Sequence, residues 1–335
     1  MARAFELAER AVRTTQPNPR VGCVIARGDE IVGEGWHQRA GEPHAEVFAL
    51  RQAGERARGA TAYVTLEPCN HHGRTPPCTE ALIVAGIAEV VYASGDPNPE
   101  VDGRGRRRLH EAGIVVRQGL MQAEGERLNR GFFARMRRAR PWLRLKLAAS
   151  LDGRTALQSG ESQWITSPAA REDVQQFRAE SAAILSTANT VLADDPRLDV
   201  RLPDTERQPL RVILDSRARL QGTERVFAPP GEVLHLTGER SLETLFTELA
   251  TEHQINEVWT EAGPTFAGAL LAGGWVDELV LYLAPCLLGP DARPLAEWPQ
   301  LARLADAERW QVQDLRQIGP DIRIILTCSP GSSRT

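Results

Sequence analysis

The chain has 335 residues, more than one hydrophobic core usually serves, so two domains are the natural expectation. Lys and Arg number 40 against 44 Asp and Glu, a net charge of -4, without the basic surplus typical of nucleic-acid binding. No apolar run reaches the roughly 18 residues that span a bilayer, and the charged start Met1-Ala2-Arg3-Ala4-Phe5-Glu6 does not read as a signal peptide. A cytoplasmic enzyme with neither nucleic-acid nor membrane partners is therefore expected.

Apolar spacing predicts a helix over 2–13, then a hairpin of strands over 21–26 and 31–36 turning at Gly28-Asp29. A helix follows over 44–53, a strand over 60–66, a helix over 79–85, a strand over 89–93, a helix over 103–112 and a short strand over 114–116. A hairpin followed by αβαβ units implies a three-layer α/β/α domain. The basic stretch from Arg135 to Pro141 reads as the linker, with a solvated helix end as the alternative. Strands are predicted again over 142–147, 183–186, 210–214, 232–236, 257–261, 278–284 and 322–326, with helices over 168–179, 242–252 and 264–271. Such alternation implies a largely parallel, covered sheet. The expected domains are 1–140 and 141–330, with a disordered polar tail beyond.

Five scattered cysteines argue against a disulfide framework. Cys286 and Cys328 lie in apolar surroundings and read as small core residues. Cys69 and Cys78 are different. Pro43-His44-Ala45-Glu46 is answered by Glu67-Pro68-Cys69 and, after eight residues, by Cys78. One His and two Cys supply three zinc ligands and leave a fourth position open. A zinc ion so held lowers the pKa of its water to roughly 7. Glu46, two residues after the His, is placed to take a proton from that water and give one to a leaving amine. The prolines place His44, Cys69 and Cys78 at helix starts, where thiolates are favoured. Either motif alone is weak, but both in this order, with a second Pro-Cys, are specific.

These residues, with Pro17-Asn18-Pro19-Arg20-Val21-Gly22, the long insert Asn70-His71-His72-Gly73-Arg74-Thr75-Pro76-Pro77 and Asp96-Pro97-Asn98-Pro99, resemble the deaminase half of the bifunctional riboflavin-biosynthesis deaminase-reductases. The resemblance implies a cytidine-deaminase-like domain acting on a phosphorylated ribosylaminopyrimidine, with Asn18, His71, Arg74 and Asn98 as substrate contacts. Asn18 and Asn98 read equally well as turn residues beside prolines. Asn70 departs from the family's usual Ser, a small polar exchange.

In the second half, Lys146 to Arg154, Ser159 to Ser167, Thr190 to Leu198 and Glu261 to Gly268 resemble the reductase half of the same family, whose fold is similar to dihydrofolate reductase. Glu261-Ala262-Gly263-Pro264 reads as a strand, a Gly turn and a helix start, a plausible phosphate cradle though not a GxGxxG fingerprint. The resemblance implies reduction by NADPH. It makes Ala148, Trp164, Thr190, Asp194, Ser216, Gly263, Pro264, Thr265, Phe266, Ala267, Gly268 and Ala269 cofactor contacts. It makes Lys146, Ser162, Arg178, Leu198, Arg201 and Glu261 substrate contacts. Arg178 and Arg201 suit a phosphate, with surface ion pairs as the alternative. The expected protein is thus a two-domain enzyme with zinc and NADPH as cofactors, working as a homodimer. The competing reading is a deaminase of another nucleobase, for example in tRNA, with an inert or binding second domain.

Overall fold

The structure is a computed structural model that describes residues 1–70, 76–98 and 103–328. It separates into two compact units, one of Met1–Arg140 with Leu249–Asn256, the other of Pro141–Glu248 with Glu257–Thr335.

The first unit runs α1 (Ala2–Glu9), β1 (Gly22–Arg27), β2 (Glu30–Trp36), α2 (Ala45–Ala53), β3 (Thr61–Leu66), α3 (Cys78–Val84), β4 (Glu89–Ser94), α4 (Arg104–Glu111), β5 (Val115–Gln118), α5 (Gln122–Leu128) and α6 (Arg130–Arg138). Its sheet has the order β2-β1-β3-β4-β5. β1 pairs antiparallel with β2 and β3, while β3, β4 and β5 run parallel. Strand side chains alternate between faces. Cys23, Ile25, Val64, Val90 and Tyr92 pack with Ala45, Ala49, Leu82 and Leu109 from α2, α3 and α4. Val24 packs instead with Ala4 and Leu7 of α1, and Leu66 with Phe132 and Phe133 of α6. The sheet is therefore covered on both faces, the three layers that the pattern implied.

The second unit runs β6 (Trp142–Ser150), β7 (Arg154–Ala156), α7 (Pro168–Glu180), β8 (Ala183–Thr187), α8 (Ala188–Asp194), β9 (Leu210–Asp215), β10 (Val233–Thr237), α9 (Leu242–Thr251), β11 (Glu257–Glu261), α10 (Pro264–Ala272), β12 (Glu278–Ala284), β13 (Arg293–Pro294), β14 (Trp310–Ile318) and β15 (Asp321–Cys328). The eight-stranded sheet has the order β10-β9-β8-β11-β6-β12-β15-β14. It is parallel from β10 through β12, and β15 and β14 close it antiparallel. Phe177 of α7 stacks on Trp259 of β11 at 5.0 Å between ring centroids, within a core that includes Ile184, Ile213, Val280 and Tyr282.

Several expectations are corrected. The first helix ends at Glu9 rather than Arg13, because the next residues pass into tight turns ahead of Thr14, Thr15 and Pro17. The stretch from Arg135 is not a linker. Arg135 to Arg138 complete α6, whose Phe132 and Phe133 are buried, and basic residues in a last helical turn suit its partial negative charge. Ala139, at φ 50°, ends that helix in the left-handed region. Cys286 and Cys328 are half-buried rather than core residues, since both fall near strand ends. The tail from Ser329 lies outside the described residues. Among the described residues, no helix is long and apolar enough to cross a membrane.

One close approach decides where α2 sits. A Cβ built on Gly33 would lie 2.2 Å from the Ala49 carbonyl oxygen, and one on Gly35 2.4 Å from that of Ala45. Only hydrogen at both positions lets α2 lie against β2. Gly35→Ala should therefore cost about 1–3 kcal/mol, as overpacking does, and should loosen the helix that carries His44 and Glu46. Urea unfolding of the variant checks this, and unchanged stability would show that α2 shifts freely.

Candidate active sites

In the first unit, three elements bring the zinc-type donors together. His44 is the N-cap of α2, in extended conformation, and Glu46 follows in its first turn. Cys78 opens α3, with Pro77 as its N-cap. Cys69 does not start a helix as its proline suggested. It lies in the segment after β3, and the backbone N–H of buried Cys78, in the first turn of α3, donates to its sulfur at 3.4 Å. The helix end thus favours charge on Cys69 from across the site. His44 Nδ1 lies 3.2 Å from Cys78 Sγ and 3.5 Å from Cys69 Sγ. The donor atoms of the three residues all lie within 4.8 Å of one another. Two thiols and one imidazole so close are a donor set that fits zinc with one coordination position left over.

Electrostatics agree with that fit. A hydrogen bond from Cys78 leads the effects that pull the Cys69 thiol below its ordinary value, and Cys78 is pushed up in return. The bond to Cys69 holds the His44 imidazole up, to about 8. Glu46 is 3% exposed, and its Oε2 accepts no hydrogen bond among the described residues. Burial pushes its carboxyl up, against the pull of His44.

A cavity of about 460 Å³ opens on this cluster, lined by His44, Glu46 and Cys69 together with Asn18 and Asn98. The two asparagines thus face the site rather than merely forming turns. The expected contacts His71 and Arg74 lie outside the described residues. The departure at Asn70 is absorbed locally, where its Oδ1 accepts from Thr79 Oγ1 at 2.8 Å.

His37 also lines this cavity, and the sequence reading missed it. It is 2% exposed, and its ring meets that of His44 edge-on at 5.3 Å. Its Nδ1 lies 3.1 Å from the Pro43 carbonyl oxygen, so it donates there. That leaves Nε2 to accept from Asn18 Nδ2, also at 3.1 Å. Burial lowers the pKa of His37, which keeps the ring neutral and the relay intact. An isolated histidine at a strand end carries no sequence signal, so only the structure could find it.

In the second unit, a cavity of about 1500 Å³ lies along the carboxyl ends of the parallel strands. Parallel pairing sets Glu261 of β11 beside Lys146 of β6. Arg178, from α7, grips Glu261 with two bonds, at 2.6 and 2.9 Å, and donates a third to the Asp199 carbonyl oxygen at 3.1 Å. Burial disfavours the Glu261 carboxylate, but Arg178 and Lys146 outweigh it and hold its pKa down, to about 2. The same burial lowers the Lys146 pKa, with Glu261 opposing. The guanidinium expected to face a phosphate is thus bonded to Glu261 through two nitrogens, and Arg178 lines the cavity together with it. Arg201 is paired with Asp199, yet its side chain remains 54% exposed.

Lys146, Ser162, Arg178, Leu198, Arg201 and Glu261 all line this cavity. So do Ala148, Trp164, Thr190, Asp194, Ser216, Gly263, Pro264, Thr265, Phe266 and Ala269. Ala267 and Gly268 do not. Ala267 is fully buried, and a Cβ on Gly268 would lie 2.1 Å from the Glu297 carbonyl oxygen, so that face of α10 packs against protein. Gly263 is the opposite case, since a Cβ there would meet nothing within 4 Å. Among the described residues, no neighbour demands that glycine. It is the N-cap of α10, with Pro264 in the first turn and no side-chain cap, so the helix N–H groups stay open to a ligand phosphate. That vacant approach, beside a cavity large enough for a dinucleotide, fits NADPH.

Comparison with known proteins decides between the two readings of the sequence. Residues 1–94 match the family model described as the cytidine and deoxycytidylate deaminase zinc-binding region, and residues 141–324 match the RibD C-terminal domain. The chain is 55% identical to riboflavin biosynthesis protein RibD of Escherichia coli, over 96% of each. It is 50% identical to the Haemophilus influenzae protein of that name, over 98% of this chain and 96% of the other. The chain belongs to the RibD family. The solved structure of Acinetobacter baumannii RibD superposes with a TM-score of 0.95 at 46% identity, covering 98% of both chains. A Thermotoga maritima structure, described as a diaminohydroxyphosphoribosylaminopyrimidine deaminase/5-amino-6-(5-phosphoribosylamino)uracil reductase, superposes at 0.89 with 33% identity, over 98% of this chain and 97% of that one.

Like other RibD proteins, this one is a bifunctional enzyme of riboflavin biosynthesis, a deaminase joined to a reductase. Its two folds are the cytidine-deaminase-like and dihydrofolate-reductase-like ones expected, and its cofactors are zinc and NADPH. The competing reading, an inert second domain behind a deaminase of another base, falls with the match over 141–324.

Arg178→Ala should leave half-buried Glu261 without its main partner and destabilise the second unit by about 1–3 kcal/mol, measured by denaturant unfolding. In the unmodified protein Glu261 is depressed, so its stabilising contribution is present above the ordinary carboxylate pKa of 4.5 and is lost as pH falls toward about 2. Stability of the second unit that stays flat over that interval would contradict the pairing.

Proposed function

We propose that residues 1–140 form the deaminase and 141–330 the reductase, each with its own site. The deaminase converts 2,5-diamino-6-(5-phosphoribosylamino)pyrimidin-4-one. The reductase then turns the ribosyl group of the product into ribityl phosphate. The observation that carries this is convergence: residues scattered through each half meet in one cavity of that half.

His44, Cys69 and Cys78 hold the zinc, which when bound acts as a Lewis acid and acidifies water. Glu46 moves the protons. It takes one from the attacking water and delivers one to the departing amine. Asn18, fixed by neutral His37, and Asn98 orient the pyrimidine. In the reductase, bound NADPH would supply the hydride that reduces the ribosyl group. Gly263, Pro264 and Thr265 offer the helix end for its phosphates, and Ala148, Trp164, Thr190, Asp194 and Ser216 line the rest of its path. Lys146 and Glu261 fix the sugar between a cation and an anion. Arg201, half exposed at the rim, remains suited to the substrate phosphate.

We further propose a homodimer joined through β14. That strand is a sheet edge, and Val312 and Leu315 on it are 60% and 63% exposed. An open edge with two exposed apolar side chains is a ready template for a second copy.

The direct test incubates the enzyme with the pyrimidine phosphate, with and without NADPH, following ammonia release and nicotinamide absorbance separately. Ammonia should appear in both arms, and absorbance should fall only after deamination. Glu46→Gln should retain zinc yet lose on the order of a hundredfold or more in ammonia release, while reducing supplied deaminated substrate normally. Near-normal ammonia release by that variant would move the proton transfer elsewhere.

A further inference from the structure

The first unit contains a short piece of chain that is remote from the rest of it in sequence. Leu249–Asn256, the end of α9 and the link into β11, group with Met1–Arg140, while the chain on either side belongs to the second unit. The link is tightly drawn. The Ile255 N–H bonds to the Leu249 carbonyl oxygen at 2.9 Å, and Gln254 takes a left-handed φ of 53°, uncommon for a residue with a Cβ. Two side chains of this link bear on the deaminase cavity. Gln254 is exposed and lines it. Asn256 is 2% exposed, and its amide holds residues that line it.

A buried amide has to satisfy both of its ends. Asn256 Nδ2 donates to the Pro17 carbonyl oxygen at 2.8 Å, and its Oδ1 accepts from Arg135 Nε at 2.6 Å. Arg135 Nη2 donates to the same Pro17 oxygen at 3.4 Å, so the three groups close a ring. A guanidinium can only donate and a carbonyl oxygen can only accept, so the amide has one orientation that serves both. Pro17 and Arg135 both line the cavity.

What this ring fixes is Asn18. The Pro17 carbonyl oxygen and the Asn18 N–H belong to one planar peptide group. Asn256 and Arg135 hold its oxygen, and the Thr15 carbonyl oxygen accepts from its N–H at 2.8 Å. The peptide cannot turn without breaking bonds at both ends. His37 fixes the Asn18 side chain in its turn, at 3.1 Å. Asn18 is thereby presented from a rigid backbone to the cavity that His44, Glu46 and Cys69 also line.

We infer that the link between α9 and β11 is a working part of the deaminase site, in which Asn256 is a positioning residue that acts on Asn18 through the Pro17–Asn18 peptide and Gln254 is a contact at the cavity rim. Small displacements of a substrate-orienting group are costly to a reaction that depends on alignment. The inference rests on the deaminase reading above and carries that site past residue 140.

The test uses the full chain. Asn256→Ala should lower kcat/KM for ammonia release about 10-fold, with zinc content and the reduction of supplied deaminated substrate unchanged. That loss should vanish in an Asn18→Ala background, where nothing is left to position. Asn256→Asp keeps an acceptor for Arg135 and removes the donor to Pro17, so it should lose as much as Asn256→Ala. Gln254→Ala should raise KM for deamination about 3-fold at unchanged kcat. Equal losses of deamination and reduction in Asn256→Ala would mark a structural role and overturn the inference. Undiminished deamination in that variant, or a full further loss in the Asn18→Ala background, would also overturn it. Normal deamination by Asn256→Asp would assign the effect to Arg135 and overturn the route through Asn18. Should Asn256→Ala not fold, Gln254→Ala at its exposed position decides, and unchanged deamination there would contradict the inference. Unmodified protein that releases no ammonia would sink the deaminase reading itself, a result distinct from failure of the Asn256 assignment.

Discussion

Glu46 and Glu261 are carboxylates withdrawn from water, and each unit is arranged around what that withdrawal demands. A buried carboxylate either finds a cation or gives up its charge. Glu261 finds two, Arg178 and Lys146, and stays ionised far below neutral pH. Glu46 has only the His44 imidazole pulling against its burial, and burial pushes it toward the protonated form. One carboxylate is thus a permanent anion, fit to position a sugar. The other is poised to exchange protons beside a metal site. Two like groups acquire two roles from their surroundings alone.

The fold supplies those surroundings by simple means. In the first unit, glycines on β2 let α2 come close enough for its first turn to carry both His44 and Glu46. The start of α3 then faces Cys69 with a free N–H and contributes Cys78 itself. In the second unit, parallel register does the equivalent work. Glu261 and Lys146 are neighbours because β11 and β6 pair without offset, and α7 lays Arg178 over them. In both, chemistry gathers where strands end and helices begin, because that is where unpaired backbone donors are available.

Much of this was legible in the sequence, and what was not had a physical reason. The zinc trio could be read because His-Ala-Glu and two Pro-Cys pairs constrain one another. Most strands of both sheets could be read because buried parallel strands are apolar along their length. β14 escaped because it is an edge strand whose outward residues, Gln311, Gln313 and Arg316 among them, dilute the apolar signal. α6 was mistaken for a linker because its last turn is basic, and the two phenylalanines that anchor it lie one turn earlier. That Arg178 also grips Glu261 could not be read, because a sequence does not reveal which carboxylate a guanidinium meets. His37 carried no signal, since its role depends on where Asn18 and Pro43 are brought. Gly268 resembles Gly263 in sequence terms, yet one glycine serves packing and the other leaves open space.

The central claim is that two chemically separate sites share this chain, one resting on a metal and the other on a dinucleotide. The most direct measurement removes zinc with a chelator, confirms by circular dichroism that the fold persists, and assays both reactions. Ammonia release should stop and return on adding zinc, while NADPH oxidation with supplied deaminated substrate should continue at its original rate. Loss of both activities together from a folded, zinc-free protein would contradict the claim and point to one site serving both reactions.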